Sequence, residues 1–493
     1  SLKLVKNATP AIASISNTSG ISVAVDGSNY GSSTITGGKI NYSVNNGAAV
    51  TTSFTTSVSP SGGISTITST TKYVAQAADA GTDKTFKVWI TEINGGADAS
   101  DTLTFSVFIN KGVFGTKNVF VEEGSGAWCG WCPDGHFRLH DILNANPTNV
   151  VGVVHHNNDG MATTEGNTIN TAFATGYPYG VVDRVTFSDQ EEAGLNRGLW
   201  AGKVTERLNA PTPVNVTVTD RTYNTTTRTV NFKVKAKFVD YSKGDYRINA
   251  YIIENNVRGP KISATSTTWN QSNYMSSQQG GATSYQALKD LPPKIVGYYH
   301  QHVVRKVLSG DWGTTGVIPA IAAEGGEYVK DYTWTIPAEG VITYDAADGN
   351  ISEEYRSTVT GPGINKHYDM KIVAFVSKYS ADLKGHEVLN VVEVPLAWNT
   401  GVEEEAAKTM PATVYPNPTS GITSINFNSN VTGNISIAVM DITGKKVMDV
   451  TSGVFAKGEH TLYFDATNLN NGVYFVAIKG DKESATARLV IAK

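Results

Sequence analysis

Cysteine is nearly absent, with two in 493 residues, Cys129 and Cys132. That excludes a scaffold held by many disulfides and confines any thiol chemistry to one Cys-x-x-Cys motif. Charge is sparse too: Asp, Glu, Lys and Arg make up 17%, against about 25% in an average soluble domain. It is also balanced, 40 basic against 44 acidic side chains for a net charge of −4. No block of the chain is strongly one-signed, which argues against a nucleic-acid partner. Long apolar runs are missing, since stretches such as Val150–Val154 and Ile318–Ala323 fall far short of the roughly 18 residues of a membrane-spanning helix. No helical span is expected. The chain opens Ser1-Leu2-Lys3 with neither initiator methionine nor apolar leader, the form left when a secretory leader is removed, so export is expected.

What the chain does contain is glycine, 48 residues of it, with abundant Ser, Thr and Asn, a composition suited to β-rich surface modules. At about 100–200 residues per domain the length suggests three or four, and a multidomain, mostly β protein is expected. Residues 1–111 alternate with period two in Ile21–Val25, Thr85–Ile93 and Leu103–Ile109, and read as a β-sandwich of immunoglobulin size with no site of its own. Over 112–211 strands alternate with helices, the order of an α/β domain. The strands are Asn118–Glu123 and Asn149–His156, the helices Asp134–Asn146, Thr164–Thr175 and Leu195–Asn209, with a short hairpin at Gly180–Phe187.

Residues 212–398 return to strands (Val214–Thr219, Thr229–Val239, Arg247–Glu254, Met370–Ser377, Val388–Pro395) and read as a second β-sandwich. A long excursion from Asn255 to about Gly326 interrupts it and is expected to cover the α/β domain. Within the excursion, Tyr298–Leu308 reads as an amphipathic helix. An acidic linker at 399–411 leads to a small third β-module at 412–493.

Chemistry points to Ala127-Trp128-Cys129-Gly130-Trp131-Cys132-Pro133, set after a strand and opening a helix. Unpaired N–H groups and the positive end of the helix dipole favour a thiolate there. Cys129 is the natural nucleophile, and Cys132, one turn in, can resolve a mixed disulfide. Trp128 and Trp131 flank the pair as either a shield or an apolar platform for a substrate. Cys129, Cys132, His136 and His140 follow one another at spacings of three, four and four, which suggests a metal. Ligands spread over three turns of one rigid helix cannot converge tetrahedrally, however, so none is expected, even with His155 and His156 nearby. His300 and His302 are expected to pack or hydrogen-bond. No cofactor is expected beyond the disulfide itself.

These residues resemble the thioredoxin superfamily over roughly 113–210. The resemblance implies a thioredoxin-like fold in which Pro178 of Tyr177-Pro178 is the cis-proline facing the thiols and its preceding residue aligns a substrate. It also implies that Glu123, six residues before Cys129, is the buried acid that exchanges a proton with Cys132. Its neighbour Glu122 has the opposite strand phase, and either acid could instead be solvated. Gly130-Trp131 matches neither the Gly-Pro of reducing members nor the Gly-His or Pro-His of oxidising ones, so the redox direction stays open.

A wider set resembles the Omp-twenty-eight-related outer-membrane family of Bacteroidota over about 110–398. It comprises Glu122-Glu123 before the motif, Gly176-Tyr177-Pro178 running into Gly180-Val181-Val182-Asp183-Arg184, and Tyr298-Tyr299-His300-Gln301-His302-Val303-Val304-Arg305 before Gly310-Asp311-Trp312-Gly313. It implies a thioredoxin-like domain joined to a β-sandwich at the cell surface. The last module is similar to the type IX secretion sorting domain through Tyr415-Pro416-Asn417-Pro418, Asp441-Ile442-Thr443-Gly444-Lys445, Gly472-Val473-Tyr474-Phe475 and the final Lys493. This resemblance implies export across the outer membrane to the cell surface or medium, with the outer-membrane translocon and its shuttle protein as partners. Two functions follow: a secreted thiol–disulfide oxidoreductase acting on protein disulfides, or a surface structural, adhesion or motility component whose Cys-x-x-Cys is a plain staple.

Overall fold

The N-terminal alternation folds as a two-sheet sandwich. Leu2–Asn7, Ile21–Asn29 and Gly63–Tyr73 form one sheet, and the other contains Ile12–Ser14, Gly38–Val44, Val50–Phe54, Asp83–Ile93 and Leu103–Asn110. Val23, Val25, Ile40, Phe86 and Val88 fill the space between them. The computed structural model describes residues 2–352, 363–396, 408–430, 432–442, 445–480 and 483–493. The chain divides into two units, Ser1–Trp398 and Asn399–Lys493.

The middle of the first unit is one eight-stranded sheet. Its strands are β1 (Val119–Ser125), β2 (Val150–His156), β3 (Tyr179–Val182), β4 (Leu195–Asn196), β5 (Asp245–Glu254), β6 (Val303–Val307), β7 (Met370–Tyr379) and β8 (Val388–Pro395). They lie in the order β4-β3-β1-β2-β6-β5-β7-β8. β1 runs parallel to β2, and β2 parallel to β6, while the other neighbours are antiparallel. Every residue of β1 and β2 is buried, as expected of parallel strands covered on both faces.

The sheet therefore crosses the boundary expected at 211/212. Alternate residues of β5 and β7 serve two cores. Ile248, Ile252, Ile372 and Ala374 meet the three-stranded sheet of Val214–Asn224, Thr229–Phe238 and Glu327–Thr335. Tyr251, Ile253, Val373 and Phe375 pack with Phe120, Val151 and Val304.

Three helices complete this region: α1 (Cys132–Ala145), α2 (Thr164–Phe173) and α3 (Trp200–Leu208). Pro133 sits at the start of α1, where a missing N–H costs nothing. The Thr163 hydroxyl caps α2 by accepting from Gly166 N.

Three expectations need correction. Tyr298–Leu308 is no helix, because its core, Val303–Val307, is a strand paired on both sides. The pairing with β5 slips between Ile252 and Ile253, and this bulge leaves Val303, Val304 and Val307 buried, a spacing that imitates a helical face. The hairpin expected within Gly180–Phe187 joins β3 instead to β4. Leu195–Asn196 is thus strand, and the closing helix begins only at Trp200.

The second unit is a small sandwich. A five-stranded sheet (Lys408–Thr409, Gly433–Met440, Lys446–Phe455, Gly472–Gly480, Glu483–Ile491) faces a three-stranded one (Ala412–Tyr415, Ile422–Ser429, Gly458–Asp465). Ile425, Phe427, Ile437, Val476 and Leu489 lie in its core. Most of the expected linker, and Gly444 of the expected sorting signal, lie outside the described residues.

Candidate functional site

Cys129 and Cys132 are joined in a disulfide where β1 hands the chain to α1, with Cys132 the first helical residue. Cys132 is fully buried and Cys129 is 4% exposed. The loop before them is pinned by Asp159, whose Oδ2 accepts from Ala127 N at 2.8 Å and from His156 Nδ1 at 2.6 Å. Aromatic side chains stand on either side. Trp128, 43% exposed, donates from Nε1 to Asn157 O at 2.7 Å and meets Tyr177 edge-on at 5.3 Å. Trp131 packs edge-on against Tyr274 at 5.9 Å, with the Arg197 guanidinium 5.3 Å from its ring.

The excursion clips onto this loop. Ser272 N donates to Ala127 O at 2.8 Å, and Tyr274 N to Gly130 O at 2.9 Å. Gln271 Nε2 donates to Cys129 O at 2.9 Å and to Gly126 O at 3.3 Å. The Tyr274 ring lies so close over Gly130 that a Cβ there would stand 2.4 Å from it, which requires glycine. Farther along, Thr283 donates to Asp134 Oδ1 at 2.6 Å, while Arg138 and Arg197 hold Oδ2 at 2.7 and 2.6 Å. Asp134 is fully buried. Burial opposes its charge, yet these three donors hold its carboxyl below the usual range.

The two acids of β1 are both fully buried, so neither is solvated. Glu122 accepts from Arg184 Nε at 2.6 Å and from Arg184 Nη2 at 2.8 Å, with His155 Nε2 at 3.1 Å. Burial alone would raise its pKa, but the Arg184 charge and these bonds override it and hold the carboxyl at about 2. Glu123 has no such help. Among the described residues neither of its oxygens has a hydrogen-bond partner, and burial pushes its carboxyl well above the ordinary value near 4.5. A Cβ on Gly135, on the first turn of α1, would lie 2.8 Å from Glu123 Oε1 and 2.9 Å from Pro178. The acid, the helix start and the buried Pro178, whose peptide bond with Tyr177 is cis, are thus brought together.

A carboxyl whose folded pKa is raised contributes its full stability below the unfolded value and loses it as pH rises through the folded one. Glu123→Gln removes that titration. Across denaturation curves from about pH 4 to about pH 9, the variant should gain steadily on the wild type. A stability difference that stays constant over the range would contradict the assignment.

The histidines behind the motif are held by separate partners. His136 is bound by Ser125 Oγ at 2.9 Å and Tyr298 Oη at 3.1 Å, His140 is exposed, and His300 Nε2 faces Trp269 O at 3.0 Å. Among the described residues no three His, Cys, Asp or Glu side chains are placed to share an ion. Nor, among them, is any helix long and apolar enough to cross a membrane.

In the second unit the expected signal residues close the sandwich. Asn417 donates from Nδ2 to Arg488 O at 2.7 Å and accepts from Val490 N at 2.7 Å, tying its loop to the last strand. Tyr415 ends one strand with an exposed ring, and both Tyr415–Pro416 and Asn417–Pro418 are cis. Gly472 opens a strand, and Tyr474 Oη donates to Asn470 O at 3.1 Å. Lys493 N donates to Asn471 Oδ1 at 2.9 Å, and its ammonium to Thr467 O.

Residues 413–492 match the family described as the secretion system C-terminal sorting domain. The chain is a cargo of type IX secretion, exported to the cell surface or the medium. No curated protein matches it. Among solved structures it is similar to HBP35 of Porphyromonas gingivalis, at 17% identity over 78% of this chain and 100% of that one, with a TM-score of 0.40. It is also similar to a structural-genomics target from Agrobacterium tumefaciens, at 11% identity over 59% and 99%, with a TM-score of 0.30. At these scores neither bears on the fold or the chemistry.

Sequence reasoning missed the cargo's Gln271, Tyr274 and Thr283, which reach the motif from more than a hundred residues downstream and carry no local pattern. Asp159 could have been found. It lies three residues after His156, at the end of a strand parallel to the one that leads into the motif.

Proposed function

We propose that this exported cargo is a thiol–disulfide oxidoreductase built on a thioredoxin-like domain, and that residues 110–398 belong to the Omp-twenty-eight-related family. One observation carries the proposal: an unpartnered, fully buried Glu123 against the first turn of the helix that Cys132 opens. A plain staple has no use for an uncompensated acid, which costs stability wherever it is ionised.

In the reduced protein, the Cys129 thiolate attacks one sulfur of a substrate disulfide, forming a mixed disulfide and releasing the other sulfur as a thiolate. Cys132 then loses its proton to Glu123 and attacks Cys129 Sγ. The second substrate thiolate leaves, and the Cys129–Cys132 disulfide is restored. The substrate gains two electrons and the protein loses two, and the reverse sequence oxidises a dithiol. Tyr177 and the buried Pro178 align the substrate strand, while Trp128 and Trp131 flank it. A raised pKa makes the Glu123 carboxylate a stronger base and limits its ionised fraction, so the resolving step quickens as pH rises towards that value.

The test is equilibration in glutathione buffers. A catalytic pair should have a potential between roughly −120 and −270 mV, whereas an inert bridge lies below about −300 mV. Cys129→Ser should abolish exchange, and Cys132→Ser should accumulate a mixed disulfide visible by mass spectrometry. A bridge that resists reduction would leave a secreted scaffold.

A further inference from the structure

A cavity of about 290 Å³ lies behind α1, between that helix, β2 and the 298–302 segment. Phe137, Leu139 and Val154 give it apolar walls, and Glu123, His136, Tyr298 and His302 are the polar side chains lining it away from the rim. Exposed His140 and Gln301 stand at its rim. The space thus combines hydrocarbon walls with an adjoining buried acid whose two oxygens have no hydrogen-bond partner among the described residues, and it borders solvent. We propose that it is a binding site for small apolar amines, with the ammonium paired to Glu123 and the hydrocarbon body held by Phe137, Leu139 and Val154.

Other ligand classes fit less well. An anion could pair with Glu123 only while that acid keeps its proton, and His136 and His302 offer it no compensating charge. Burial, reinforced by neighbouring histidines, holds His136 well below its ordinary 6.5, and burial with the nearby Lys371 charge holds His302 at about 4. A metal ion would find both nitrogens of His136 already engaged by Ser125 and Tyr298. A purely hydrocarbon guest would leave the Glu123 oxygens unmet, the costly state for a buried polar group. An amine satisfies walls and acid together. Arriving as the ammonium, it displaces the Glu123 proton to solvent. Arriving as the free base, it takes that proton, and the product is the same ion pair.

His136 Nε2 lies 3.6 Å from Glu123 Oε1, and the Tyr298 phenol also lines the cavity beside the acid. His140 and His302 face the cavity from α1 and from the segment leading into β6. The proposal does not depend on redox activity, so its test uses the oxidised full chain with no thiol present. Benzylammonium chloride, toluene and benzoate are titrated separately by calorimetry near neutral pH. Benzylammonium should saturate a single site, with toluene and benzoate weaker by at least about tenfold, and Glu123→Gln should lose about tenfold for benzylammonium alone.

Should that variant not fold, wild-type titrations in two buffers of different ionisation enthalpy give the same answer. Benzylammonium should then release close to one proton per molecule bound, at a pH where Glu123 holds its proton, and toluene none. Equal binding of toluene or benzoate, absence of saturation, or binding without proton release would each overturn the assignment.

Discussion

Deleting Tyr415–Lys493 leaves the first unit folded and strands it in the periplasm, with surface and medium levels falling by more than an order of magnitude. Ser1–Trp398 forms a unit of its own, and among the described residues the core of the tail is built from Met410 onward. The deletion therefore removes the unit that carries the address and leaves the other unit's residues in place. Surface proteolysis and fractionation of cells making the truncated chain check the location, and circular dichroism of the purified fragment checks the fold. Normal surface display would refute the sorting role. A milder version, Asn417→Ala, breaks both bonds to the last strand and should lower export through local loosening of the sandwich.

Arg184→Leu should be the most destabilising single change in the eight-stranded sheet. The Arg184 guanidinium is buried, paired twice with Glu122, bonded to Tyr251 Oη at 2.8 Å, and lies 5.4 and 5.3 Å from the rings of Trp312 and Phe375. Removing it leaves Glu122 charged, buried and bound only to His155, at a cost of about 3–5 kcal/mol. The double change Glu122→Leu with Arg184→Leu removes both charges and should recover most of that loss, because an apolar pair of similar volume often replaces a buried ion pair at little cost. Urea titrations of the wild type, the single variant and the double variant measure it. A double variant as weak as the single would show that the packing of Arg184, rather than the charge it neutralises, holds the sheet.

How much of this was legible in the sequence depended on whether the signal was local. The Cys-x-x-Cys at a strand-to-helix junction and the ordered elements of the tail are short-range patterns that could be read directly, whereas Tyr177-Pro178 came only through a resemblance. Glu122 and Glu123 could not be separated, because the two-residue rule assigns one side chain inward and one outward, and β1 is covered on both faces. Arg184, whose charge sets Glu122 apart from Glu123, lies far along the chain. Tyr298–Leu308 failed for a related reason, since a bulge shifted the buried valines onto helical spacing. The clip of Gln271, Ser272 and Tyr274 left no trace, for it rests largely on backbone atoms that every residue carries.

The position of β6 sets a timetable. The chain delivers β2 and then β5 before it delivers the strand that must lie between them, so in a molecule emerging N-terminus first one edge of β2 and both edges of β5 stay unpaired until Val303–Val307 arrives, and the far edge of β5 until Met370–Tyr379 follows. Such edges pair with whatever strand comes near. The helices around the motif can form early, but the sheet beneath them is sealed only when the excursion has been handed over. Newly made chains therefore pass through a stage in which those edges are open to pairing with other copies, and shielding them until the later strands arrive protects the sheet.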